Sequence, residues 1–427
     1  MISHITFYVF TFYVFTFYVF TFYVFTFYVF TFYVFTFYVF TFHVFPPIPP
    51  NRMDLSMSIY EELGVRPLIN ASATLTRLGG SVMPREVVAA MVEASQHFVP
   101  LDELQRRVGE RLATMTRNEA AYVSSGAAAG LVLATAACIA GNDPQKIAQL
   151  PDTTGLKNEV IIHKVHRNGY DHAVRQVGVK VVEIGDGEQT TAADLAAAIN
   201  DNTAAIFWFQ GAMTGRGDLP LAEVIAVANR HNVPVVVDAA AQLPPVENLW
   251  RYTEMGAALA VFSGGKDLRG PQSSGLIVGR KELIEACRIN GNPNHSIGRP
   301  MKVGKEEMVG LLKAVELYLK RDHMARASQD EEVVTGWCSE LNQLPGVHAE
   351  RSFPNEAGQP LPRALVQIDR ARVGLSRDAV VDALEQGTPA IAVAKGGTDG
   401  IYLNPMTLAD GEEQIVLDRL LEILRRA

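Results

Sequence analysis

Short apolar runs recur through the middle of the chain, each followed by a small-residue or polar turn and then a helix-length amphipathic stretch. The runs Ala121-Tyr122-Val123, Val160-Ile161-Ile162, Val179–Ile184, Ala204–Phe209, Val233–Val237, Leu259–Phe262 and Leu276–Val278 predict strands. They are rich in Val and Ile and do not alternate with polar residues, so both sheet faces are expected to be covered. Helices are predicted at 126–140, 191–200, 220–231 and 281–290. This alternation reads as an α/β fold with a mainly parallel sheet covered by helices. Farther on, a long helix near 305–325 leads to a strand at 363–369 and a helix at 376–386. Strands near 389–394 and 400–403 and a last helix at 411–426 complete a smaller α+β unit.

The organisation that follows is an N-terminal arm over 53–100, a large domain over 101–304 and a small C-terminal domain over 305–427. In the arm, Pro84 is expected to open a helix, where its missing N–H costs nothing. Leu101, Leu104, Val108 and Leu112 then share one face of a helix over 101–117.

The first 52 residues break the pattern. Residues 6–40 are seven copies of Thr-Phe-Tyr-Val-Phe, and Thr41-Phe42-His43-Val44-Phe45 closes the run. Sixteen of the 21 Phe and seven of the 13 Tyr lie here. The composition is that of the tail and not of the fold. A five-residue period turns successive repeats to opposite sheet faces, so no single buried face persists. The run is read as a translated tandem repeat ahead of the true start, with an aggregation-prone strand former and a membrane anchor as the other readings. With the first reading, no membrane association is expected. Pro46-Pro47-Ile48-Pro49-Pro50 separates the run from the fold.

Net charge is −8, without a long basic run, which argues against nonspecific nucleic-acid binding. Cys138, Cys287 and Cys338 match no zinc spacing and no disulfide framework. A reducing cytoplasm is expected, and no metal site.

The chemistry concentrates at two strand ends. Val235-Val236-Val237-Asp238 delivers a carboxylate, and Val261-Phe262-Ser263-Gly264-Gly265-Lys266 delivers an amine. Ligands of open α/β sheets bind at the carboxyl ends of the strands. An acid and an amine together there suit pyridoxal 5′-phosphate, which needs a Schiff-base lysine and an acid partner for its pyridine nitrogen. Either residue alone has a plainer use: a solvated loop lysine, or a helix cap.

Other candidates gather around this pair. Ser124-Ser125-Gly126-Ala127-Ala128-Ala129 joins a strand to a helix, so Ser125, Gly126 and Ala127 could hold a phosphate at the helix N-terminus. Ser263 offers a hydroxyl to the same group. Gln242 could reach the cofactor's 3′-oxygen. His166 follows the next strand and could stack on the ring, with His163 and His172 as rivals. Asn70, Thr74 and Thr76 in the arm, and Arg299 with Lys302 and Lys305, are candidates for an anionic substrate group.

This order of motifs resembles the fold type I pyridoxal-phosphate enzymes. Phe262-Ser263-Gly264-Gly265-Lys266 with Gly270-Pro271-Gln272 is similar to the selenocysteine synthase (seryl-tRNA selenium transferase) superfamily, as is Arg66-Pro67-Leu68-Ile69-Asn70-Ala71. The resemblance covers about residues 57–427. Gly265 stands where the synthases have Asp, and Thr76-Arg77-Leu78-Gly79-Gly80-Ser81 looks more like the D-glucosaminate-6-phosphate ammonia-lyase branch. The tRNA-binding domain of the synthases is replaced here by the repeat.

The resemblance implies Lys266 as the Schiff-base residue, Asp238 as partner of the ring nitrogen, His166 stacked on the ring, and Arg299 at a site between subunits. It implies a homodimer or multiple of dimers and a small-molecule amino substrate, with tRNA disfavoured. The reaction expected is an α,β-elimination through an external aldimine, releasing ammonia and a 2-keto acid. Selenium transfer to seryl-tRNA is the alternative enzyme. A non-catalytic binding or regulatory protein on the same fold is the alternative of another class.

Overall fold

The computed structural model describes residues 58–426; the repeat and the proline stretch lie outside them, and with them the readings made of that tail. Ser58–Gly64 belongs to a unit distinct from Val65 onward. Its helix Ile59–Glu62 is closed by a capping box between Ser58 and Glu61.

From Val65 the chain builds thirteen strands in three sheets. β1 (Leu68–Asn70) pairs in parallel with β11 (Ala390–Ala392). The large sheet contains β2 (Ala120–Ser124), β3 (Glu159–His163), β4 (Lys180–Ile184), β5 (Thr203–Phe209), β6 (Val235–Asp238), β7 (Leu259–Ser263) and β8 (Gly275–Gly279). Their order is β2-β8-β7-β6-β5-β3-β4. All neighbours are parallel except β8, which runs antiparallel to both β2 and β7. The third sheet is antiparallel, with order β12-β13-β10-β9, from β9 (Val347–Ser352), β10 (Arg363–Ile368), β12 (Ala394–Gly396) and β13 (Gly400–Leu403).

The unbroken apolar runs now have their reason. Successive strand residues point to opposite faces. Ile161, Ile206, Trp208, Val235, Val237, Ala260 and Phe262 enter one core, while Val160, Ile162, Ala205, Phe207, Val236, Leu259 and Val261 enter a second across the sheet. A fully buried Val, Ile or Phe contributes about 1.5–3 kcal/mol. A polar residue at either parity would therefore be expensive, and Asp238 stands at the first position where the run ends.

Two expectations need correction. The helix expected over 305–325 is two helices, Lys305–Tyr318 and His323–Leu341. Asp322 breaks it by capping the second, accepting from the Ala325 N–H at 2.9 Å. The first helix buries Met308, Leu311, Val315 and Tyr318 in a core of the large sheet, so the large body extends past residue 304. The small core begins with Val334, Trp337 and Leu341 and takes in Ile69 and Ala71 from the arm. β9 was not expected, because His348, Glu350 and Arg351 hide a strand with only Val347 and Ala349 buried.

Candidate active site

β6 and β7 lie side by side in parallel, with Asp238 opposite Val261. Register thus puts Asp238 and the chain leading to Lys266 at the same sheet edge. Asp238 is buried, and its Oδ1 accepts from the Ala240 N–H at 3.0 Å. Burial pushes its carboxyl above the ordinary range, while the Ala240 N–H and the charge of Lys266 pull it back. Lys266 is affected in the opposite sense. Burial lowers its ammonium below the ordinary value, against the opposing charges of Asp238 and Glu356. The charge of each group acts on the other, as expected of two groups at the same sheet edge.

Lys266 sits in a loop held from two sides. Within the loop, the Gly264 N–H donates to Ser274 O and the Gly270 N–H to Gly264 O, both at 2.8 Å. From the arm, Ser81 Oγ donates to the Gly265 carbonyl at 3.0 Å. Gln272 Nε2 donates to Thr76 O at 2.8 Å, and Arg269 Nε donates to Val82 O at 2.9 Å. Gly265 is obligatory here: a Cβ on it would lie 2.5 Å from Gln272 Cα. On the arm's side, a Cβ on Gly80 would lie 2.6 Å from the Gly265 carbonyl oxygen. Two backbones meet with no room for a side chain between them.

β2 ends at Ser124, whose Oγ donates to Gly126 O at 2.8 Å. Gly126 has φ +98 and starts the helix Ala127–Ala140, which has no side-chain cap. Its first N–H groups are free of intrahelical partners. Nothing lies within 4 Å of where a Cβ on Gly126 would stand. An uncapped fourteen-residue helix opening onto free space fits a phosphate. Ser125, Gly126, Ala127 and Ser263 are all partly exposed there.

His163 ends β3 and His166 ends the turn that follows; neither has exposed surface. Their ring centroids are 4.9 Å apart, and His166 meets Trp208 edge-on at 4.6 Å. His166 Nε2 lies 3.3 Å from Asp218 Oδ2, without good hydrogen-bond geometry at either ring nitrogen. Burial lowers its pKa while Asp218 opposes. His163 Nε2 accepts from the Leu219 N–H at 3.3 Å. Burial drives His163 down to about 4, so it is neutral with its proton on Nδ1. His163, His166 and Trp208 thus form one enclosed aromatic cluster at the carboxyl end of the strand. His172 is exposed on a short helix.

The other expected residues have diverse fates. The Asn70 amide closes its own turn, accepting from the Ser72 and Ala73 N–H groups and donating to Ala73 O at 2.9 Å. A side chain so used builds the arm's turn, with one amide N–H left over. Thr74 is partly exposed and Thr76 exposed on the arm. Gln242 Nε2 donates to Gln210 O at 3.3 Å and Ala357 O at 2.9 Å, linking the turn after β6 to a loop of the small unit. Arg299 is exposed beside a depression of about 330 Å³ lined also by His295, Ile147 and Pro151. None of the residues that surround Lys266 lines it. Lys305 pairs with Glu306, and Lys302 is exposed.

Sequence reasoning did not single out Asp218 and Trp208, which pack against His166, or the Glu356–Arg363 pair. Glu356 pairs with Arg363 at 2.9 Å while its charge reaches Lys266. No spacing from the strand motifs points to it, since about ninety residues intervene between Lys266 and Glu356.

The family described as L-seryl-tRNA selenium transferase matches residues 68–343. The chain belongs to this family. A D-glucosaminate-6-phosphate ammonia lyase of Salmonella typhimurium is 33% identical over 380 residues, covering 87% of this chain and all of that protein. A 5′-C-glycyluridine monooxygenase-decarboxylase of a Streptomyces species is 34% identical over 374 residues, covering 86% of this chain and 92% of that protein. Among solved structures, a D-glucosaminate-6-phosphate ammonia-lyase superposes with TM-score 0.77 over 87% of this chain and all of its own. As a member of the selenium transferase family with the fold type I architecture, the chain is a pyridoxal 5′-phosphate-dependent enzyme. The residues present suit that cofactor: a buried acid and a partly buried amine at one sheet edge, and an open helix N-terminus nearby.

Proposed function

We propose that the chain is an ammonia-lyase acting on an amino acid or amino-sugar acid with a hydroxyl at the β-carbon. The observation that carries this reading is the buried Asp238 and the partly buried Lys266 at one sheet edge, in a chain 33% identical, along a relative's full length, to a D-glucosaminate-6-phosphate ammonia lyase. When bound, the cofactor supplies an electron sink for negative charge at the substrate's α-carbon. Asp238 would hold a proton at the ring nitrogen. Ser125, Gly126, Ala127 and Ser263 would hold the phosphate with N–H and hydroxyl donors. Burial lowers the proton affinity of Lys266, which would favour its free amine as the base that takes the α-proton. His166 and Gln242 position the walls of the site. Loss of the α-proton and the β-hydroxyl leaves an enamine, which tautomerises and takes up water to release ammonia and a 2-keto acid.

Gly265 supports the lyase branch over selenium transfer. The synthases have Asp at that position, and a Cβ there would overlap Gln272. A carboxylate beside the lysine would require a different loop. The second reading, oxidative decarboxylation, is favoured by the 34% identity to the monooxygenase-decarboxylase. Both begin by placing negative charge at the same carbon.

The deciding experiment is a screen of amino-sugar acids and β-hydroxy amino acids, phosphorylated and free, with the cofactor-loaded protein. Keto acid and ammonia in equal amounts, without oxygen uptake, are expected. Oxygen consumption with carbon dioxide release would favour the decarboxylase, and saturable seryl-tRNA retention on a filter the transferase. We further infer a homo-oligomer of cytoplasmic residence, with Arg299 turned toward a neighbouring subunit's site. Light scattering tests this, and a monomer at assay concentration would refute it.

A further inference from the structure

Lys266 is followed by an aspartate that no step proposed above uses. The Arg269 N–H donates to the Lys266 carbonyl at 2.8 Å and closes a turn whose two inner residues are Asp267 and Leu268. Arg269 itself has φ +55. Before Lys266 come Gly264 and Gly265, which have no side chains to anchor the turn. The anchors therefore come from inside it. Leu268 is buried in a core of the large sheet. Asp267 supplies the second anchor.

Its partner is Arg321. Nη1 of Arg321 donates to both carboxylate oxygens of Asp267, at 3.3 and 3.4 Å. The Asp267 and Arg321 side chains are only 11% and 25% exposed, so salt and water screen the pair little. Arg321 stands in the break between the helices Lys305–Tyr318 and His323–Leu341. Its N–H donates to Tyr318 O at 3.2 Å, and its guanidinium carbon lies 5.7 Å from the centroid of the Tyr318 ring. His323 meets that ring edge-on at 4.5 Å. The neighbouring charges have other partners. Arg326 pairs with Asp330 at 3.0 Å and donates to Pro405 O at 3.0 Å, and Arg269 Nε donates to Val82 O. Burial and the charge of Asp267 hold the Tyr318 phenol above its ordinary range, so it stays neutral. Among the described residues, Arg321 is the cation paired with Asp267.

We propose that Arg321 is a positioning residue: by holding Asp267 it fixes the turn on which Lys266 stands, and so sets the approach of the amine to the cofactor's aldehyde carbon. This rests on the reading of Lys266 as the residue that links to the cofactor. The pair joins the lysine turn to the break where the chain passes from a core of the large sheet to the small core. Misplacing a reacting group by an ångström slows a reaction by up to about a hundredfold. The pair acts on that placement and leaves the grip on the phosphate to other residues.

The test uses the full chain freed of cofactor. Pyridoxal 5′-phosphate is added over a range of concentrations. The readout is the band at about 420 nm that forms as the Lys266 nitrogen adds to the aldehyde and water leaves. The half-saturation concentration reports binding, and the limiting rate reports the approach of the amine. Arg321→Met should lower the limiting rate about tenfold or more and leave half-saturation within about twofold. Asp267→Ala should do the same, and the double variant should be no slower than either, because each residue acts through the other. Arg321→Lys should recover most of the rate, since one nitrogen bridges both oxygens here and an ammonium can do likewise. An unchanged limiting rate in Arg321→Met overturns the proposal, as does a double variant slowed by the product of the two single losses. A raised half-saturation at constant limiting rate also overturns it. If Arg321→Met does not fold, because it strands a carboxylate in the interior, Asp267→Ala decides alone by the same rate. Failure of the lysine reading looks different: the unaltered chain would form no band, or Lys266→Ala would keep it.

Discussion

The sheet edge and the 355–363 segment contribute to the same site by opposite means. Asp238 and Lys266 follow apolar runs, Val235–Val237 and Leu259–Phe262, that are locked by two cores, and the lysine loop is clasped again by the arm. Glu356 and Arg363 come from a loop and a strand start, with one group half exposed and one donor unmatched. The rigid half carries groups that any cofactor of this type demands. The other half carries an ion pair, Glu356–Arg363, with one partner half exposed.

Four changes would break or sharpen that contrast. The largest effect belongs to Lys266→Ala, which should abolish both turnover and the absorbance band at about 420 nm that a lysine–cofactor linkage gives. A retained band would remove Lys266 from its role. Next is Asp238→Asn, which keeps shape but removes the charge; kcat should fall about 10²–10³-fold with cofactor still bound. Third, Gly265→Ala adds a methyl group where Gln272 leaves no room, costing about 1–3 kcal/mol of stability by denaturant unfolding and lowering kcat. Gly169→Ala, where a Cβ meets nothing within 4 Å, is the control and should change stability by less than about 0.5 kcal/mol. Equal losses in the two would deny that the loop is as rigid as described.

The effect smallest at neutral pH concerns acid. His163 is depressed from 6.5 to about 4 in the folded chain. The unfolded chain therefore binds the proton first, so stability falls as pH drops from the ordinary imidazole value toward 4. At neutral pH both states are neutral there, and nothing is lost. The full decrement is on the order of 3 kcal/mol. His163→Asn should flatten the stability–pH curve over that window, and an unaltered slope would assign it to other groups.

Most of the large sheet was legible because its strands are apolar at both parities and too short to be buried helices. Lys266 and Asp238 were legible because each ends such a run. The antiparallel β8 was not, since Gly275–Gly279 reads as one more buried strand in either direction. His166 could be located but not its surroundings, because Asp218 and Trp208 approach from elsewhere in the chain. The local turn that Asn70 closes was not legible either, because an amide in a polar stretch gives no sign of its partners. Arg363 was invisible because a lone basic residue at a strand start has many ordinary uses, and only its burial against Tyr402 distinguishes it.

The arm has one further consequence. Ala71 is pinned to the small core through Ala392 and Asn404, while Thr76 is already fastened to the lysine loop. Only Ser72 to Leu75 lie between, a leash that fully stretched spans at most about 18 Å. However the small core rocks, it travels on this short tether, and any pull at one end arrives at Lys266.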